Sequence, residues 1–302
     1  MLKSIVPYYG GKRMLASFVN IEMGPHRTAD WDVFCGSLAR FFDCRPTAHE
    51  FACDLHDDVT NLCYALRDDK ISRRLYNRCH RTLFHELLFK DSAAFLRDNL
   101  PYEFDGQPNE DRAYHYLVVS WMGRNGIAGT VKAGDNIFAS RWSATGGHGA
   151  VRWSSAADSI LAWHARLHRV NFLHRSAFDV LPRIRDARGT SIYCDPPYLR
   201  DGDARSSTDQ YLHDFKLADH YRLAEMLARF QQARVVVSYY DHSLLDRLYP
   251  SAEGWTKVDL SRTKNLVLAS PASQENKRTI AKEALLVNGR SYLADPQLKL
   301  FA

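Results

Sequence analysis

The sequence predicts an α/β fold carrying an inserted, mainly helical lobe. Short apolar runs at 31–34, 49–54, 170–173, 191–194 and 235–239 alternate with helical periodicities. That alternation stops between residues 70 and 168. The 302 residues are 45% hydrophobic and 25% charged, enough apolar mass for a large core and too much for a disordered chain.

The first run, 31–34, leads through a Gly-containing turn into a helix at 36–42, and 49–54 is the second strand. The helix at 59–66 follows Asp57 and Asp58, acids that suit a helix N-terminus. Long helical patterns at 71–88, 113–122 and 156–167 surround a Gly-rich stretch at 123–149. Strand alternation then resumes, with helices at 178–185 and 217–230. Runs at 256–260 and 283–287 suggest an antiparallel pair at the sheet edge. This divides the chain into an α/β domain of 1–69 and 169–302 and an inserted domain of 70–168.

Several classes fall away on composition. No apolar run approaches the roughly 20 residues a bilayer needs, and the start MLKSIVPYYGGKRM has no signal-like stretch, so a cytoplasmic protein is expected. Six cysteines (Cys35, Cys44, Cys53, Cys63, Cys79, Cys194) form no CxxC pair and are expected as reduced thiols, mostly buried. The net charge is +5. Between Arg124 and Arg175 seven basic residues face two acids, a local net of +5 again, so the basic excess sits in and beside the insertion.

The most informative residues end the fourth strand, where Cys194 is followed by Asp195, Pro196, Pro197 and Tyr198. A carboxylate, two carbonyls and an aromatic ring thus stand at a strand's carboxyl end, the edge where open α/β sheets bind ligands. Two other features fit that edge: the loop PYYGGK (7–12) opening a helix, and the turn FCGSL (34–38) after the first strand. Asp54 ends the next strand, and a Gly-bearing turn followed by such an acid is the logic of nucleoside binding.

The order PYYGGK, FCGSLA, FACDLHDD, insertion, AFDVL, YCDPPYL, VVVSYYDH resembles the Dam-type adenine-specific DNA methyltransferases over nearly the whole chain. GSLA and WMGRNGIAG look closest to members encoded by bacterial viruses. One departure concerns the FxGxG motif, whose second glycine is Leu38 here, a side chain expected to narrow the room for a methionine moiety. The resemblance implies a Rossmann-like sheet using S-adenosylmethionine. It assigns the cofactor to Tyr8, Gly10, Gly11, Lys12, Phe34, Gly36, Ser37, Asp54, Phe178, Asp179 and Asp195. It assigns the target base to Asp195, Pro196, Pro197 and Tyr198, with Tyr198 stacking on it. Adenine's 6-amino lone pair is delocalised into the ring. Two acceptors on its N–H groups, the Asp195 carboxylate and the Pro196 carbonyl, favour a pyramidal nitrogen aimed at the methyl group. Such geometry requires the base to leave the duplex.

The insertion then becomes the expected target-recognition lobe. Arg124, Lys132, Arg141, Arg152 and Arg166 are candidates for phosphate, and Asn125 for a base edge. The expected partner is double-stranded DNA, bound by a monomer or weak homodimer. Methylation of cytosine at its 4-amino group and a catalytically weak DNA-binding protein are the alternatives. A dehydrogenase lacks its GxGxxG here, and the 146–149 loop lacks the Lys and Ser/Thr of a phosphate-binding loop. No metal is expected: HELLF (85–89) fails HExxH, and His164 with His168 lacks an evident third ligand. Tyr211, His213, Tyr239, Tyr240 and Asp241 are further candidates to line the pocket.

Overall fold

A computed structural model describes residues 4–7, 12–123, 137–139, 148–199, 215–260 and 283–294. A single-turn 3-10 helix at Lys12–Met14 leads into α1 (Ala16–Glu22). Next come β1 (Ala29–Asp32), α2 (Ala39–Asp43), β2 (His49–Asp54) and α3 (Asp57–Arg67). The helices α4 (Asp69–Arg81), α5 (Glu86–Asp98), α6 (Glu110–Met122) and α7 (Gly149–Leu167) follow. The rest is β3 (Val170–His174), α8 (Ala177–Val180), β4 (Thr190–Cys194), α9 (Leu217–Ala228), β5 (Arg234–Tyr240), α10 (Leu245–Leu248), β6 (Trp255–Asp259) and β7 (Glu283–Asn288).

Seven strands form one sheet in the order β3-β2-β1-β4-β5-β7-β6. Five are parallel, while β7 runs antiparallel to both β5 and β6. The antiparallel pair expected at the edge is present, with β7 inside and β6 outermost. Period-2 alternation sends neighbouring residues to opposite faces. Ile192, Cys194, Val235 and Val237 meet α8, α9 and α10, whereas Tyr193 and Val236 meet α1. With both faces covered, the central strands read as nearly continuous apolar runs. The result is a Rossmann-like α/β architecture.

Several boundaries differ from expectation for identifiable reasons. β1 starts two residues before the apolar run because Asp30 and Asp32 lie inside it, both buried. Arg40 makes them tolerable by bonding Asp30 at 3.0 Å and Asp32 at 3.4 Å. The helix expected over 71–88 breaks at 82–85. There Thr82 Oγ1 donates to the Arg78 carbonyl at 2.8 Å, and His85 Nδ1 caps α5 by accepting from Leu87 N–H at 3.1 Å. The helix expected at 178–185 tightens after Val180 into a 3-10 turn containing Pro182, which has no N–H to give.

The helices of the expected insertion pack on the sheet's own core. Trp121, Trp163, Tyr116 and Leu75 form one buried cluster with Leu62 and Leu66 of α3, Phe41 of α2 and Ala52 of β2. α6 is buried nearly all round, its Trp121 indole donating to the Ile5 carbonyl at 2.9 Å. All six cysteines are free, and only Cys44 is not fully buried. Among the described residues, no helix is long and apolar enough to cross a membrane.

Arg166 corrects the expectation that it faces DNA phosphate. Its two terminal nitrogens grip the fully buried Glu50 carboxylate at 2.6 and 2.8 Å, and its Nε donates to the Phe41 carbonyl at 3.0 Å. A guanidinium so committed clamps α7 onto β2. Arg166→Ala is therefore expected to cost about 3–5 kcal/mol of folding stability, because it strands a buried charge. Urea denaturation measures this, and the salt dependence of DNA binding by the folded fraction should stay unchanged.

Candidate active site

β1 and β4 are adjacent and parallel, yet the chain leaves them in opposite directions, β1 toward β2 and β4 toward β5. Their carboxyl ends therefore flank the crevice in which such sheets bind ligands. The loops after these two strands, with the end of β2, supply most of the residues singled out in the sequence.

After β1 the Val33 N–H still donates to the Tyr193 carbonyl at 3.1 Å, and the chain then turns sharply into α2. The turn closes when Leu38 N–H donates to the Cys35 carbonyl at 2.8 Å. Gly36 has φ 45°, and Leu38, with φ 59°, is the one non-glycine among the described residues in the left-handed region. Leu38 thus adopts a backbone shape that favours glycine. Its side chain is fully buried beside Ile5, Val6 and Phe41 in the core, the opposite of the expected intrusion toward a ligand.

Asp54 organises this turn. One carboxylate oxygen accepts from Gly36 N–H at 2.7 Å and from the Cys35 thiol at 3.9 Å, and the other accepts from His56 N–H at 2.9 Å. The oxygen bonded to His56 keeps acceptor capacity for an outside hydroxyl. Phe34 and Gly36 stand on either side of buried Cys35, and Ser37 is also buried.

On the β4 side, Asp195 Oδ1 lies 3.2 Å from Lys12 Nζ, with side chains 19% and 7% exposed. Burial raises the Asp195 carboxyl above its ordinary value, opposed by the charge of Lys12 and its hydrogen bond. Lys12 Nζ also sits 4.5 Å from the Tyr198 ring centre. Pro196 is buried and Pro197 half-buried. Tyr240 meets Tyr198 edge-on at 4.4 Å, and Tyr239 lies 5.8 Å away, so both strand-end tyrosines belong to this wall.

A second aromatic wall joins the two sides. Phe215 stacks on Phe178 (5.8 Å, 10°) and meets Phe34 edge-on at 5.9 Å. Arg222 covers Phe178 at 4.3 Å, and Asp179 is exposed beside it. Sequence reasoning missed Phe215. A usable signal existed: it stands just before the first residues of α9 and packs on His220 (4.7 Å) as a staple, while Asp219 accepts from Lys216 N–H at 2.8 Å. Glu283, which accepts from the Tyr198 hydroxyl at 2.9 Å, was also missed, because a lone acid opening an apolar strand resembles punctuation.

The model of the D12 class N6 adenine-specific DNA methyltransferases matches residues 8–263. The chain belongs to that family. It is an enzyme that methylates adenine in DNA at N6, and cytosine methylation is not favoured. DNA is the substrate, and the DNA methyltransferases in general use S-adenosylmethionine. A comparison with curated proteins gives no match.

The residues of this methyltransferase fit such a ligand in kind: flat aromatic faces for a purine, a strand-end carboxylate for ribose hydroxyls, and a tight Gly36 turn that lets backbone approach. Tyr8, Gly10, Gly11, Arg124, Asn125, Lys132, Arg141, Tyr211 and His213 lie outside the described residues. Arg152, half-buried near the start of α7, holds its guanidinium 6.0 Å from the Trp121 ring. His164 and His168 have a third neighbour that spacing did not reveal. Asp69 Oδ1 lies 3.0 Å from His164 Nε2, whose ring also contacts the Leu66 carbonyl at 2.9 Å, tying the end of α7 to the α3–α4 junction.

Leu38→Gly separates backbone strain from packing. Relief of the left-handed leucine is worth about 1–2 kcal/mol, less than the about 2–5 kcal/mol lost with a fully buried leucine side chain. The variant is expected to be less stable in chemical denaturation while binding S-adenosylmethionine normally.

Proposed function

We propose that this methyltransferase binds S-adenosylmethionine along the Phe34–Leu38 turn and acts on a flipped adenine at Asp195, Pro196, Pro197 and Tyr198. The observation that carries this is the convergence of Lys12, Asp195 and Tyr198 at the β1–β4 crevice, beside the turn that Asp54 holds. An ammonium already donates to the Asp195 carboxylate while lying by the Tyr198 ring. That is the pairing of N–H donor and flat neighbour which an adenine amine requires.

In this reading Asp54 takes the ribose hydroxyls, Phe34 and Phe178 flank the adenosine, and Gly36 and Ser37 offer close backbone. Tyr8, Gly10, Gly11, Lys12 and Asp179 complete the cofactor's surroundings. Bound S-adenosylmethionine supplies an electrophilic methyl group on a sulfonium. Asp195 and the Pro196 carbonyl hold the two N–H bonds of the target amine, turning its lone pair outward, and Tyr198 fixes the base plane. The extra N–H proton, made acidic once the nitrogen carries four bonds, leaves through Asp195.

DNA contacts are assigned to Arg124, Asn125, Lys132, Arg141 and Arg152, placing target recognition within the insertion. GSLA and WMGRNGIAG support a viral source and a role in masking a genome from restriction. A cytoplasmic setting and a monomer or weak homodimer suit such an enzyme.

Asp195→Ala and Asp195→Asn should each lose more than about nine-tenths of methyl transfer, a barrier increase above roughly 1.4 kcal/mol. Tritium transfer from S-adenosylmethionine to unmethylated double-stranded DNA reports this, and a variant keeping more than a tenth of the rate removes Asp195 from the assigned role. Asp54→Ala is expected to weaken S-adenosylmethionine binding about tenfold or more. Calorimetry checks this, and unchanged affinity would move the ribose site elsewhere.

A further inference from the structure

The ring assigned to stack on the target base is tethered from a distant part of the chain. Glu283 is the first residue of β7 and pairs in register with Tyr240 of β5. Its Oε2 accepts from the Tyr198 hydroxyl at 2.9 Å. The Asp195 charge bears on the same hydroxyl, and the Asp195 carboxylate itself pairs with Lys12 at 3.2 Å. A phenol carries one proton, so a hydroxyl that donates to Glu283 has none to offer Asp195.

That choice has a chemical consequence. A Tyr198 proton given to Asp195 would occupy a lone pair there and draw down its charge, weakening the acceptor assigned to the adenine amine. A proton given to Glu283 leaves Asp195 with Lys12 alone, the contact an incoming amine can replace. The Tyr198–Glu283 bond also fixes the ring's swing, because Glu283 is built into a strand and Tyr240 closes the ring's other side at 4.4 Å. Burial raises the Glu283 carboxyl, Lys12 opposes this, and the Asp195 charge raises it further, so Lys12 is what lets two carboxylates share this corner.

We propose that Glu283 is a positioning residue for base methylation: it accepts the hydrogen bond of the Tyr198 hydroxyl, fixing the stacking ring and reserving Asp195 for the target amine. This inference rests on the roles given above to Asp195 and Tyr198.

The test uses the full chain with unmethylated double-stranded DNA and tritiated S-adenosylmethionine, with a thermal melt for each variant. E283A, and E283D with its withdrawn oxygens, should lower kcat about tenfold while KM for S-adenosylmethionine changes less than about twofold. E283Q keeps an acceptor at full reach and should stay within about threefold of wild type. Y198F should be slowed as E283A is, and E283A added to Y198F should cost nothing further, since both remove one bond. Wild-type kcat in E283A, equal losses in E283Q and E283A, or a full additional loss in the Y198F background would each overturn the proposal. Where E283A does not fold, E283D against E283Q decides by the same criteria. D195A is measured alongside: an inactive D195A with a fully active E283A sinks this inference alone, whereas an active D195A sinks the site reading beneath it.

Discussion

The parallel pairing of β1 with β4 is the constraint on which the site depends. Residues Ala29 to Asp32 lie in register with Thr190 to Tyr193, so the two strands end together and their following loops open on one edge. The first loop becomes the tight 34–38 turn, and the second presents Asp195 to Tyr198. Neither loop need find the other during folding, because the ladder has already placed both. Connections leaving on opposite sides keep helices from filling the gap.

Charge buried beneath that edge is handled by a few dedicated partners. Asp30 and Asp32 lie inside β1 and share Arg40, and burial pushes the Asp32 carboxyl up to about 7 while Arg40 opposes the shift. Glu50 on the neighbouring strand is gripped by Arg166, and Glu22 by Arg234 at 2.7 Å. Removing one member of such a pair is costlier than the pair's net contribution suggests, since the survivor stays buried. These arginines therefore belong to the sheet, whatever the basic composition of the chain implies about DNA.

Asp54 ties one of these loops to the sheet. With one backbone N–H on each oxygen, it holds the β1–α2 turn against the end of β2. A substitution there loosens the turn and, under the proposed assignment, the ribose contact with it. The same economy appears at the other wall, where His220 packs on Phe215 and contacts the Tyr239 hydroxyl at 2.9 Å. Burial pulls His220 down to about 4, so it serves this wall as a neutral ring.

The sequence by itself determined the strand and helix alternation, the strand-end motifs and the family. Apolar periodicity and strand-end motifs are local properties, and FCGSL, Asp54 and CDPPY each sit where their neighbours in the chain dictate. It also singled out Lys12, because a Gly-rich loop before a helix is a local signal. Only the tertiary structure decided that α4 to α7 share the sheet's core, since helix periodicity does not say which core a buried face joins. Only it separated Arg166 from the basic residues around it, because an arginine's partner 116 positions away leaves no trace in spacing. Leu38 shows the same limit: the motif gave the backbone shape, while the direction of its side chain followed from the packing of Ile5, Val6 and Phe41. Glu283 and Phe215 join the site through β7's pairing with β5 and the docking of α9. Long-range contacts of this kind are set by the closed fold, and a linear sequence does not encode them residue by residue.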